Sequence, residues 1–204
     1  MRVASILFGL ISLLIVAAIP ASAQNEASGE PLVPDPAQCT LEPATRERLD
    51  AIVDLTLIHA TPLASAGFGT PVTLPEGAGA PVSPELQAEI EEAMTINVAC
   101  LNTGNTLLQI SIYSDMGARR VLGEDVEAIT DEEFAQLATP VALSPEGMTA
   151  IYGFGRAIDL GDGRVAIVIE GDDQSQPDPV SPTLFILVQQ DDHWVIDSFE
   201  TTQD

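Results

Sequence analysis

Three kinds of side chain in this 204-residue sequence have the type and spacing to do chemistry: two cysteines, two histidines and a set of clustered carboxylates. Cys39 and Cys100 have no Cys or His neighbour at metal-ligand spacing, so they match no zinc motif. An even pair in an exported chain reads as a disulfide, with two buried thiols as the alternative. Closing a loop of about 60 residues is worth ~4 kcal/mol in the chain-entropy account. His59 opens a Pro/Gly stretch, and His193 sits at a turn before Trp194, where a histidine faces solvent. No Gly-x-Ser-x-Gly elbow accompanies them, so a Ser-His-Asp hydrolase has no support. The carboxylates Asp159, Asp162, Glu170, Asp172, Asp173 and Asp178 offer hard oxygen ligands of the kind calcium takes. Asp159-Leu160-Gly161-Asp162-Gly163 lacks the spacing of a calcium loop and reads as a hairpin turn. Residues 171–182, with Asp172, Asp173 and Asp178, form the better metal candidate, set against a plain solvated turn. No cofactor is expected. Arg119-Arg120 is a lone basic pair whose expected use is pairing with the chain's own acids, ahead of binding an anion.

The N-terminus bears on where such chemistry would operate. Arg2, an apolar run from Ile6 to Ile19 and the small-x-small site Ala21-Ser22-Ala23 have the form of a secretory signal peptide over residues 1–23. The apolar run is shorter than the ~20 residues that span a bilayer, so cleavage is expected, an uncleaved anchor being the alternative. No membrane span then remains, and the product is expected outside the cell or in its envelope. Of 204 residues, the 23 of the leader leave 181, enough for one domain. Thirty-one acidic residues oppose seven basic ones, all arginine, for a net charge of −24. That field repels phosphate backbones and disfavours nucleic acid, while it favours basic partners.

The elements that must position these residues run from helix to strand. Residues 24–38 are Pro- and Glu-rich without periodicity and read as a flexible lead to a domain over 39–204. A helix is expected from Pro43, with Leu49, Ile52, Val53, Thr56 and Leu57 on one face and Arg46 pairing Asp50. A long Pro/Gly loop spans 59–83. Ser83-Pro84-Glu85 starts a second helix that buries Leu86, Ile90, Met94, Asn97 and Val98 and stops at Gly104. Short helices follow over 107–113 and 115–122, and Thr130-Asp131-Glu132-Glu133 is a capping box for another. β-rich runs then cover 148–158, 164–170, 183–190 and 194–199, with turns at 159–163 and 190–193. Helices followed by an antiparallel meander predict an α+β fold.

Ala99-Cys100-Leu101-Asn102-Thr103-Gly104-Asn105 leading into 107–115, then Asp162-Gly163-Arg164-Val165, then Trp194-Val195-Ile196-Asp197, resembles the nuclear transport factor 2-like (SnoaL-like) family. The resemblance covers roughly residues 40–201 and is nearest to exported bacterial members with paired cysteines. It implies helices packed on a curved antiparallel sheet that forms a cone with an internal cavity. Enzymes of that family place an Asp or His, often with Tyr, inside the cone, where burial raises a carboxylate pKa toward proton-transfer use. The positions so implied here are Asp115 and Tyr113 after the third helix, Tyr152 on the first long strand and Asp197 on the last. None matches a catalytic motif of the family residue by residue. Tyr152 alternates with Ala150 and Phe154, as a cavity wall or a plain core face would. Asp197 alternates with Val195 and Phe199 and is expected either to point inward or to pair at a sheet edge.

The expectation is therefore an exported, non-catalytic domain that binds an apolar small molecule or a basic protein. An isomerase- or dehydratase-like enzyme using a cavity carboxylate and Tyr is the first alternative. A structural cell-envelope protein is the second.

Overall fold

Among the described residues, every α-helix starts behind a side chain that takes up an unpaired N–H of its first turn. The computed structural model describes residues 30–56, 79–123, 126, 128–173 and 181–201, with the side chains of 172, 173, 181 and 201 outside that description. Helix α1 (Arg46–Val53) is capped by Thr45, whose hydroxyl accepts from Arg48 N at 3.2 Å. It therefore begins three residues later than Pro43, because Thr45 offers the capping oxygen that proline lacks. Arg46 pairs with Asp50 at 3.0 Å as its spacing predicts. Ser83 caps α2 (Pro84–Leu101), Asn105 caps α3 (Thr106–Ser111) and Ser114 caps α4 (Asp115–Leu122). Thr130 and Glu133 close the expected box on α5 (Asp131–Leu137). Between α2 and α3 the chain reverses through Gly104, in the left-handed region at φ 64°. Its carbonyl accepts from Val141 N at 2.9 Å.

The second half is an antiparallel sheet, so the fold is α+β. Strands β1 (Ala80–Pro81), β2 (Thr149–Phe154), β3 (Ile158–Asp159), β4 (Arg164–Asp173), β5 (Ser181–Gln190) and β6 (His193–Thr201) run in the order β1-β3-β4-β5-β6, with β2 also on β4. The single strand expected over 148–158 is thus two, β2 and β3, laid along the same edge of β4. The cause lies in α2. Gln87 accepts from Ala157 N at 2.7 Å and donates to Gly155 O at 3.0 Å, satisfying backbone groups where the strand breaks. β1 falls inside the expected Pro/Gly loop 59–83, pairing with β3; residues 57–78 lie outside the described residues.

Residues 30–38, expected within a flexible lead, are tied down. Leu32 exchanges two 2.8 Å backbone hydrogen bonds with Ile151 of β2, and Pro34 is fully buried. Asp35 caps a single 3₁₀ turn at Pro36–Gln38, and Cys39 then forms a disulfide with Cys100 of α2. Asn102 completes the anchor. Its amide nitrogen donates to Pro34 O at 3.1 Å and Thr149 O at 3.0 Å, and its oxygen accepts from Thr149 N at 2.7 Å. A polar rather than apolar anchor is why hydropathy misses this strap. Residues 1–23, expected as a leader, lie outside the described residues, among which no helix is long and apolar enough to cross a membrane.

The core sits between helices and sheet. α2 lays Ile90, Met94, Val98 and Cys100 on Val165, Ile167 and Ile169 of β4, Leu187 of β5 and Ile196 of β6. A second cluster joins Leu49, Ile52 and Val53 of α1 to Leu107, Ile110, Ala118 and Ile129. Together they fix α4 beside the outer edge of β6.

Candidate functional site

The junction of α4 with β6 brings together two of the expected site residues, Tyr113 and Asp197. After α3 the chain touches the edge of β6 once, as a parallel bridge of Tyr113 with Ile196. Ile196 N donates to Ile112 O at 2.8 Å, and Ser114 N donates to Ile196 O at 2.9 Å. The chain then leaves the sheet as α4. Ser114 Oγ accepts from Gly117 N at 2.9 Å, capping the helix, and donates to Asp197 Oδ1 at 2.8 Å. Gly117 permits the approach: a Cβ there would lie 2.5 Å from Ile196 O and 2.9 Å from Asp197 O.

Asp197 occupies a β-bulge. β5 advances one residue, Ile186 to Leu187, while β6 runs from Ser198 back to Ile196, so Asp197 has no partner on β5. The bulge breaks the alternation with Val195 and Phe199 and turns the carboxylate to α4, where Arg120 Nη1 stands 3.6 Å from Oδ2. Arg120 Nη1 also donates to Asp197 O at 2.6 Å. Of the basic pair, Arg120 thus meets an acid as expected, whereas Arg119 donates to the backbone carbonyls of Leu55 and Gly123.

Tyr113, Val121 and Phe199 wall a cleft of about 190 Å³, with Gly117, Arg120 and Asp197 at its base. It is open to solvent, and Val121 and Phe199 are 49% and 46% exposed. The ring centroids of Tyr113 and Phe199 lie 6.4 Å apart, and Phe185 continues the row at 6.2 Å from Phe199. Loss of water around the phenol pushes the Tyr113 pKa up, so Tyr113 is neutral at physiological pH.

The other expected residues lie elsewhere. Asp115 stands at the start of α4, accepting from Arg48 Nε at 3.0 Å and Gln190 Nε2 at 3.3 Å. Arg48 also donates to Tyr113 O at 2.8 Å, so this set ties α1, α4 and β5 together. It borders a second cleft, of about 210 Å³, lined by Glu42, Arg48, Gln190, Asp191 and the exposed His193. Tyr152 is half-buried on β2, away from both clefts, at a register shift that puts Ile151 and Phe154 on the same core. Asp159 and Asp162 serve their turn: Asp159 accepts from Gly161 N at 2.8 Å and Asp162 pairs with Arg164 at 2.7 Å. That bond holds the Asp162 carboxyl below its ordinary range. The backbone of Asp172 and Asp173 lies on β4, while their side chains and Asp178 are outside the described residues. Among those residues no three His, Cys, Asp or Glu side chains are grouped to hold a metal ion. His59 is likewise outside them.

Ser114, Gly117 and Val121 are site residues that the sequence reading passed over, while Arg120 and Phe199 entered it only as half of a basic pair and as part of a strand alternation. Gly117, Arg120 and Val121 fall at i, i+3 and i+4, the signature of one helix face. Nothing local says that this face meets β6. No family model, curated protein or solved structure matches the chain.

Proposed function

We propose that this chain is an exported binding domain of nuclear transport factor 2-like architecture that docks a protein partner through the α4–β6 cleft. The observation that carries this reading is the cleft itself: an exposed aromatic and aliphatic rim over a base whose charges, Arg120 and Asp197, already pair. Its volume, about 190 Å³, is below the ~300–1,000 Å³ of sites that enclose a drug-sized ligand. It suits one apolar side chain, and a single buried anchor of that kind often dominates an interface. The net charge of −24 selects a partner whose surface around that anchor is basic.

The architecture is supported by helices packed against an antiparallel sheet. Asn102 to Asn105 link α2 to α3, and Trp194-Val195-Ile196-Asp197 lies on the last strand. A cone closed over an apolar interior is proposed on the same support. The leader-like residues 1–23 and the Cys39–Cys100 bridge support export, since disulfides persist in oxidising compartments.

A photoreactive benzophenone side chain in place of Val121 should trap the partner. The purified partner should then bind the wild type at least tenfold more tightly than Val121→Asp or Phe199→Asp, with the variants' thermal unfolding near that of the wild type. Equal affinity for all three proteins would overturn the proposal. A second reading, an isomerase- or dehydratase-like enzyme, draws on Tyr113 and Asp197 sharing one cleft. Against it, Asp197 already accepts from Ser114 and pairs with Arg120, so proton abstraction would first have to break those contacts. Substrate turnover abolished by Asp197→Asn and Tyr113→Phe would favour it.

A further inference from the structure

We infer that the side chain taken by the α4–β6 cleft is a tyrosine of the partner protein, its hydroxyl bonded to that of Tyr113 and its ring extending the Tyr113–Phe199–Phe185 row. This rests on the docking function proposed above and names the chemistry of the anchor. Tyr113 lines the cleft, and its hydroxyl makes no hydrogen bond among the described residues. Loss of water alone shifts its titration, with no hydrogen bond to the phenolate set against it. Nor is the oxygen sealed off among the packed side chains, so it keeps a path to water. Docking strips that water. An apolar anchor would leave the Tyr113 hydroxyl dry and unpaired, whereas an anchor with a polar tip satisfies it.

The rim asks for a ring. Tyr113 and Phe199 stand 6.4 Å apart, and Phe199 and Phe185 6.2 Å, both inside the ~4.5–7 Å at which aromatic rings attract. Phe199 is 46% exposed, so the row ends on an open face where a further ring can pack. Arg120 at the base adds a guanidinium, which favours an aromatic neighbour over an aliphatic one. Among ring-bearing side chains, phenylalanine has no polar tip. Tryptophan only donates, so it leaves the Tyr113 proton unpaired. Histidine is charged in the field of −24, and then it too only donates, beside Arg120. A tyrosine hydroxyl both donates and accepts, so it meets Tyr113 in either sense. This chain cannot supply that tyrosine to itself or to a second copy. Its two tyrosines are Tyr113 and Tyr152, and Tyr152 is built into β2, away from the cleft. The anchor therefore comes from a different protein, and the field selects Lys or Arg around it.

The test is selection of a random dodecapeptide library on the full-length protein at low salt, which should enrich a tyrosine among basic residues. The selected peptide and its Tyr→Phe counterpart are then synthesised and titrated against the wild type and Tyr113→Phe. On the wild type, loss of the peptide hydroxyl should weaken binding about tenfold. On Tyr113→Phe the preference should vanish, and the phenylalanine peptide should bind this variant more tightly than it binds the wild type. Such a rescue follows from a hydroxyl pair at the contact, and a merely structural role for Tyr113 would not produce it. Phe199→Asp, and Val121→Asp should the first variant fail to fold, should each abolish binding of both peptides. If another anchor is enriched, or the tyrosine preference is absent or survives in Tyr113→Phe, while Phe199→Asp still abolishes binding, the tyrosine inference is wrong and docking stands. If no peptide is selected, or Phe199→Asp and Val121→Asp bind unchanged, both readings fall.

Discussion

Tyr113 contributes twice to one place: its backbone bridges β6 at Ile196 and its ring walls the cleft next door. Because burial raises its pKa, the folded state holds the phenolic proton more tightly than the unfolded chain does. Stability from this residue is therefore fully present below the unfolded value of ~10 and is lost as pH rises through and above it. Absorbance titration at 295 nm in a Tyr152→Phe background should place the Tyr113 midpoint above the free-tyrosine value. A midpoint at or below that value would contradict its desolvation. Gly117 makes a second residue-scale case. Gly117→Ala gains ~1 kcal/mol of helix propensity but sets a methyl group against two carbonyls of β6. Overpacking of this kind costs ~1–3 kcal/mol, so a net loss of about 1 kcal/mol is expected in urea unfolding. An unchanged or raised midpoint would show that α4 can move off the strand. Residue-level reading foresaw the Arg46–Asp50 pair, the Thr130–Glu133 box and an acidic partner for Arg120, because those depend on local spacing or net charge. It left Asp197 between two orientations. Only pairing with β5 reveals the bulge that decides between them.

Among the elements, the strap over residues 30–39 departs most from expectation. A Pro-rich, aperiodic stretch reads as a lead, yet the disulfide to α2, the Leu32 bridge and the Asn102 clasp fix it along β2. Replacing both Cys39 and Cys100 by serine should cost ~2–5 kcal/mol in denaturant unfolding. Amide protection at Leu32 should fall together with that at Ile151, since they share one pair of bonds. Retained protection would mean that Asn102 and Pro34 hold the strap unaided. Two of the capped helices were legible because Ser83 and Thr130 announce themselves beside their helices. The division of 148–158 into β2 and β3 was not, because Gln87, some seventy positions away, supplies the bonds that stabilise the break. The β5–β6 turn was legible in place. Its left-handed Asp191 and Asp192, at φ 51° and 63°, fit the tight hairpin turn that matches strand twist.

At the scale of the whole molecule, charge decides the kinetics of any encounter. A body of net charge −24 should attract the basic partner proposed for it over a Debye length of ~30 Å at 0.01 M salt, shortened to ~8 Å at 0.15 M. The association rate should fall about tenfold across that range with little change in dissociation, as measured by stopped-flow or surface-based kinetics. A salt-independent rate would point to an uncharged partner face. The acidity, the α+β order and the cysteine pair were all readable from the chain, since composition, capping residues and hydrophobic period act over a few positions. The α4–β6 cleft belongs to the tertiary structure alone. Tyr113, Val121 and Phe199 become neighbours only when α1 and α3 fix α4 beside β6 and Gly117 lets the two close. Such contacts join residues about eighty positions apart, and no local pattern encodes the register and bulge that bring them together.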